Sequence, residues 1–173
     1  MNKNLAICTG GNRGIGSAIV DKLHELGYLV ATIHNDYSQA NGNGDFQFIG
    51  DISSPEDIDR FYEMISQQTQ GFELNLLVNN AGIATAKKFQ NLGVEDFLGM
   101  FRVNVLGVFM MSQEFVKRCK KGDNKSISSR IINISSVSGL KGFSGHAHYC
   151  ASKFALNGMM QVMAKELSKL GLA

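Results

Sequence analysis

The apolar run Leu5–Cys8 breaks straight into Thr9-Gly10-Gly11-Asn12-Arg13-Gly14-Ile15-Gly16, and a helical pattern begins inside that turn. A buried strand that enters a glycine-rich turn and leaves it as a helix is the opening of a β-α-β unit. Glycine lets the backbone take positive φ and approach a ligand closely. The helix start offers free N–H groups and a partial positive charge, which suits an anion such as a dinucleotide pyrophosphate. The spacing, through Gly10, Gly14 and Gly16, is G-x-x-x-G-x-G rather than the generic G-x-G-x-x-G. The alternative is an ordinary βα turn that happens to be rich in glycine.

From that start strand and helix patterns keep alternating. Ile15 to Leu26 has helical periodicity, with Ile15, Ile19, Leu23 and Leu26 on one face and Gly27 to end it. Tyr28 to Ile33 and Phe46 to Ile49 read as strands two and three. Pro55 to Gln68 reads as a helix with Ser53 or Ser54 as cap and Glu56, Asp57 and Asp59 near its positive end. Leu74 to Val78 is a fourth strand, apolar without interruption, as a sheet covered on both faces requires. Val94 to about Cys119 reads as largely helical, Arg130 to Ile134 as a fifth strand, and Tyr149 to Leu170 as a long helix. The expectation is an α/β fold in one domain over residues 1–173: a doubly wound parallel sheet, right-handed crossovers, helices on both faces. Two stretches depart from regularity. His34 to Asp45 is too short for a crossover helix, and no strand follows the last helix before Ala173. The polar stretch Lys120 to Ser129 reads as a surface connection.

Composition narrows the function classes. With net charge +2 there is no bulk electrostatic case for nucleic acid or an acidic membrane surface, and Lys87-Lys88 and Lys120-Lys121 read as solvated surface. Cys8, Cys119 and Cys150 are odd in number and widely spaced, which argues for a reducing compartment rather than a disulfide framework. No stretch reaches the roughly 18 apolar residues of a membrane helix, and the apolar run at the N-terminus is too short for a signal peptide. A soluble cytoplasmic protein is expected.

Tyr149 and Lys153, at i and i+4, share one helix face. An ammonium beside a phenol favours the phenolate and so makes a proton donor and acceptor for carbonyl and alcohol chemistry. Ser136 and Asn104 precede them and are polar groups able to join such a site. His146, His148 and Cys150 are too crowded to form a tetrahedral metal set, and no second pair exists elsewhere, so no metal is expected. The two histidines are expected on the loop leading to Tyr149, one facing substrate; Phe143 is expected to line the pocket or join the core.

Taken together, Thr9 to Gly16, Gly50-Asp51-Ile52, Asn79-Asn80-Ala81-Gly82, Val103-Asn104-Val105, Ile134-Ser135-Ser136 and Tyr149 to Lys153 resemble, in order and separation, the short-chain dehydrogenase/reductase family, and most closely its 3-oxoacyl-carrier-protein reductase-like branch. The resemblance implies a Rossmann-type fold and a nicotinamide cofactor. It implies that Tyr149 exchanges the proton with the substrate oxygen, that Lys153 holds the nicotinamide ribose, that Ser136 bonds the substrate oxygen, and that Asn104 holds a water in a proton relay to Lys153. It implies cofactor contacts from Thr9, Gly10, Gly11, Asn12, Arg13, Gly14, Ile15 and Gly16, from Asp51 and Ile52 at the adenine, and from Asn80, Ala81 and Gly82 along the ribose, with Asn79 bracing the central strands. Plainer roles stand beside these: a surface helix pair for Tyr149 and Lys153, a turn cap for Ser136 in competition with Ser135 and Ser138, a helix-interior residue for Asn104, and a cap before Pro55 for Asp51.

Members selective for NAD carry an acid at the end of the second strand; here that position is His34, with Asp36 two residues later. Arg13 stands where members place a cation for the 2′-phosphate, so NADP (NADPH) is expected in preference to NAD. Family members are longer, so relative to them the last strands, the substrate lid and part of the subunit contact are absent. The expected partners are a small carbonyl or alcohol substrate and further copies of the chain, in a homodimer or homotetramer built on the two long helices. The competing readings are a non-catalytic nucleotide-binding homologue with a regulatory role, and an epimerase or dehydratase with a retained nucleotide.

Overall fold

The computed structural model describes residues 3–35, 44–122 and 128–173. Strand β1 (Lys3–Thr9) lies at the middle of a parallel five-stranded sheet, with β2 (Leu29–His34) and then β3 (Phe46–Ile49) on one side and β4 (Phe72–Asn79) and then β5 (Arg130–Asn133) on the other. Leu5 pairs with Leu29 on one side and Ile7 with Leu77 on the other. Side chains alternate across the strand. Leu5 and Ile7 join a core with α2 (Pro55–Gln68) and with the later helix α4 (Val108–Arg118), while Ala6 and Cys8 join a second core with α1 (Gly14–Glu25). That is why the central strands are apolar without a break, and it confirms a Rossmann-type sheet with helices on both faces.

α2 forms as its sequence dictates. Ser54 Oγ accepts the Asp57 N–H at 3.1 Å, Pro55 opens the first turn, and Glu56 and Asp57 sit at the positive end. Its buried stripe is Ile58, Phe61, Tyr62 and Ile65. Tyr62 is 1% exposed and donates its hydroxyl to the Met111 carbonyl at 2.8 Å, joining α2 to α4. Fully burying a side chain as large as Phe61 or Phe115 contributes about 2–3 kcal/mol each.

Two expectations need correction. The buried face of α1 is Gly16, Val20 and Leu23, whereas Ile15 and Leu26 are 68% and 62% exposed. Gly16, with no side chain, is the point at which the helix presses on the sheet, so the apolar period alone puts that face about one position off. The stretch from Val94 is largely helical as expected: α3 (Val94–Phe101), a widened π-helical turn (Arg102–Gly107) and α4. The helix α5 (Ala147–Leu167) runs on through a short 3₁₀ turn, Ser168–Leu170. Beyond it Leu172, 1% exposed, bridges Ser129 in parallel, and Ile131 N–H donates to the Ala173 carbonyl at 2.8 Å. A sixth strand position beside β5 is thus already begun, where the sequence pattern predicts an unpaired helix. Asp36 and residues 123–127 of the polar stretch lie outside the described residues.

Candidate active site

A cavity of about 320 Å³ opens at the carboxyl ends of β1, β2 and β4. Gly10, Asn12, Arg13, Gly14, Ile15 and Gly16 line it, as do Asp51, Ile52, Asn80, Ala81 and Gly82, with His34 at the far end. Gly16 is required by contact: a Cβ there would stand 2.0 Å from the Gly10 carbonyl oxygen and 2.6 Å from Asn80 Nδ2. That closeness brings the start of α1 against the turn, where its free N–H groups face the cavity.

Thr9 and Gly11 do not line the cavity. Thr9 is fully buried, and its Oγ1 accepts the N–H groups of Asn80 at 3.0 Å and Ala81 at 2.9 Å. Asn80 returns the tie, donating Nδ2 to the carbonyls of Thr9 and Gly10. Asn79 Nδ2 donates to Ser112 Oγ and Asn133 Oδ1, bracing β4 as expected. Asp51 combines its two expected positions: Oδ1 accepts the Ser53 N–H at 2.8 Å, and the residue also lines the cavity.

The cavity fits a dinucleotide. Among the described residues, Asn12 Nδ2 and both ring nitrogens of His34 are buried without a hydrogen-bond partner, and such groups cost stability until a ligand satisfies them. Arg13 caps α1 by its backbone alone; its side chain is exposed and pairs with no carboxylate among the described residues.

Beyond Gly82 lie the residues expected to do chemistry. Lys153 is 6% exposed and donates Nζ to the Ile134 carbonyl at 2.9 Å, which ties α5 to the chain just past β5. Burial holds its ammonium below the usual lysine range. Its Nζ stands 5.9 Å from the Tyr149 ring centroid, and the Tyr149 side chain is half-buried. A Cβ on Gly82 would lie 3.1 Å from Asn104 Oδ1 and 3.9 Å from Lys153 Nζ, so glycine keeps this junction open.

Asn104, 1% exposed within the widened turn, clamps Ile83: Oδ1 accepts its N–H and Nδ2 donates to its carbonyl, both at 2.9 Å. Nδ2 also reaches Ser152 Oγ at 3.1 Å, and that hydroxyl donates to the Tyr149 carbonyl at 2.7 Å. The Asn104 side chain is therefore spent on protein groups. Wide turns of this kind leave helix backbone groups free and recur at functional sites.

Ser136 Oγ accepts the Ser138 N–H at 3.1 Å, so it does cap a turn. No acceptor takes its hydroxyl hydrogen among the described residues. Its two rivals are engaged or enclosed: Ser135 donates to Asn157 Oδ1 at 2.7 Å, and Ser138 is buried.

Of the two histidines expected on the loop leading to Tyr149, His146 lies there and His148 does not. His148 lies in the first turn of α5, 1% exposed, with Nε2 on Thr85 Oγ1 at 2.8 Å. His146 precedes the helix, and its ring meets the Tyr149 ring at 6.4 Å between centroids. Phe143 is 40% exposed under the Lys141 ammonium, which excludes the core role. Sequence reasoning missed the Thr9 strut, the Ile83 clamp and the Thr85–His148 pair. A threonine or asparagine beside a strand end was the available signal, and it does not name the partner.

The chain belongs to the short-chain dehydrogenase family, whose model matches residues 4–173. It is similar to the sorbitol-6-phosphate 2-dehydrogenase of Klebsiella pneumoniae, with 35% identity covering 99% of this chain and 66% of that enzyme. It is similar also to the 3-oxoacyl-(acyl-carrier-protein) reductase FabG of Vibrio cholerae, at 32% over 97% of this chain and 69% of the relative. The corresponding reductase MabA of Mycobacterium avium is 34% identical, over 96% of this chain and 62% of its own length. The chain thus spans 62% to 69% of the length of these relatives.

Proposed function

We propose that this chain carries the nucleotide-binding and catalytic part of an oxidoreductase that interconverts a carbonyl and an alcohol. The observation that carries the reading is the junction at Gly82, where the cavity at the strand ends meets a buried lysine ammonium 5.9 Å from the Tyr149 ring centroid. A bound nicotinamide nucleotide supplies the hydride, or accepts it in the reverse direction. In reduction Ser136 donates its hydroxyl hydrogen to the substrate oxygen as negative charge develops there. Tyr149 gives its phenolic proton to that oxygen and becomes phenolate; in oxidation it takes the proton back. Lys153 holds the nicotinamide ribose hydroxyls and favours the phenolate. The Asn104 side chain fixes Ile83, so the relay water belongs on backbone freed by the widened turn.

Arg13, exposed at the cavity and without a carboxylate partner among the described residues, supports a preference for NADPH over NADH, with His34 standing where an acid would favour NADH. The names of the relatives make 3-oxoacyl thioesters the first substrates to assay. Leu106, Phe109, Phe154 and Val162, each 41% to 53% exposed on the widened turn, α4 and α5, support self-association through those helices. Three free thiols support a reducing, cytoplasmic setting, and among the described residues no helix is long and apolar enough to cross a membrane.

The test is fluorescence titration with NADPH and NADH, then turnover of carbonyl substrates. Tyr149→Phe is expected to keep cofactor affinity and lower kcat/KM by roughly 10²–10⁴-fold. Arg13→Ala is expected to erase the NADPH preference. Saturable NADPH binding with no turnover would decide instead for a nucleotide-binding protein without catalysis.

A further inference from the structure

The segment after β4 is exposed from Gly82 onward, yet it is tied down at nearly every second residue. Asn80 and Ala81 hang on Thr9, and Ile83 is clamped by Asn104. Thr85 bonds His148, the Lys87 N–H donates to the Gly145 carbonyl at 2.8 Å, and the Lys87 ammonium pairs with Asp96. Two of these ties, from Thr85 and from the Lys87 backbone, reach the start of α5.

That helix start needs them. Its N-cap, His146, makes no side-chain capping bond, and Tyr149 is the third residue of the helix. An uncapped first turn frays, because its N–H groups lack partners. A catalytic side chain there must be held from outside the helix. His148, immediately before Tyr149, is 1% exposed, and its Nδ1 has no partner among the described residues. A buried imidazole nitrogen without a partner is a cost to folding that an apolar side chain of similar size would avoid. The histidine is explained by the one bond it makes, Nε2 to Thr85.

We propose that the Thr85–His148 hydrogen bond is a latch that stands in for the missing cap of α5 and positions Tyr149 against the cofactor segment, so that Thr85 and His148 are positioning residues for the reaction. The inference rests on the reading of Tyr149 as the proton donor. It differs from the clamp by Asn104, which reaches α5 through Ser152, one turn further in.

The test uses the full chain. Thr85 is exposed, so Thr85→Val removes the hydroxyl without opening the core, and Thr85→Ser keeps it. Three quantities are read for each variant and for His148→Gln: NADPH affinity by fluorescence, deuterium uptake of peptides covering 82–88 and 146–153, and kcat with KM for a 3-oxoacyl thioester. The latch predicts that Thr85→Val raises uptake in both peptides and lowers kcat about tenfold, with NADPH affinity and KM within about twofold, since small misplacements act on the chemical step. Thr85→Ser should restore the parent values. Unchanged uptake and unchanged kcat in Thr85→Val overturn the proposal, as does a fall in NADPH affinity that matches the fall in kcat. Absence of turnover in the parent would refute the enzymatic reading alone, because the uptake of the two peptides still decides for or against the latch.

Discussion

Gly16→Ala isolates the close approach on which the cofactor cavity depends. A Cβ at this position would stand 2.0 Å from the Gly10 oxygen, where ordinary contact begins at 3.4 Å, so α1 or the turn must withdraw by about 1.4 Å. The Gly10 oxygen also accepts Asn80 Nδ2 at 3.2 Å, and the same Nδ2 would lie 2.6 Å from the new methyl. Overpacking of this kind costs about 1–3 kcal/mol, and loss of that hydrogen bond adds about 1 kcal/mol, giving about 2–4 kcal/mol in all. That is a large share of the roughly 5–15 kcal/mol that holds a typical domain together. The informative control is Gly14→Ala: Gly14 has φ +56°, but a Cβ there meets nothing within 4 Å. Its cost is backbone strain alone, about 1–2 kcal/mol. Urea unfolding followed by circular dichroism gives both values, and NADPH titration below the unfolding transition gives the effect on binding. The reasoning is refuted if Gly14→Ala costs as much as Gly16→Ala, or if Gly16→Ala unfolds within about 1 kcal/mol of the parent and binds NADPH equally well.

Gly158, in α5 with open space where a Cβ would go, should tolerate alanine and gain about 0.5–1 kcal/mol, read as a raised thermal midpoint. Tyr62→Phe should cost about 1–2 kcal/mol in urea unfolding, because the buried hydroxyl bonds the Met111 carbonyl; an unchanged midpoint would mean that bond contributes nothing. Lys153 has a native pKa below its unfolded value of 10.5, so the native state binds its proton less tightly than the unfolded chain. It therefore subtracts stability below the native pKa, and the penalty fades as pH rises toward 10.5. Relative to Lys153→Met, the parent should gain stability between neutral pH and that value, and a flat difference across the range would contradict the burial described for the lysine.

The strands and α2 were legible because each carries its own signal: apolar runs bounded by glycine, and Ser54-Pro55-Glu56 at a helix start. The glycine turn after β1 was legible for the same reason. What escaped depends on partners distant in the chain. The buried face of α1 turns on Gly16, which contributes no hydrophobicity to a periodic pattern. The widened turn at Asn104 carries no local mark, since Arg102 to Gly107 is acceptable in an ordinary helix and departs from one only through its packing. Ser136 was a choice among three serines, and only the bond from Ser135 to Asn157 and the burial of Ser138 separate them. His148 looked like a loop residue because Thr85, its partner, lies sixty-three positions earlier.

The ties on the segment after β4 also bear on how the protein matures. Thr9 meets Asn80 across seventy-one positions, Ile83 meets Asn104 across twenty-one, and Thr85 meets His148 across sixty-three. Contacts of such long sequence separation close late, after the loop entropy between them has been overcome. An emerging chain can therefore pair β1 with β2 around α1 early, whereas the pairing of β1 with β4 and the ties of this segment, which span comparable separations, close later. Nucleotide added during refolding should be captured only after β1 has paired with β4, since the cavity is lined from both strand ends, which makes its fluorescence a clock for closure of the sheet rather than for collapse.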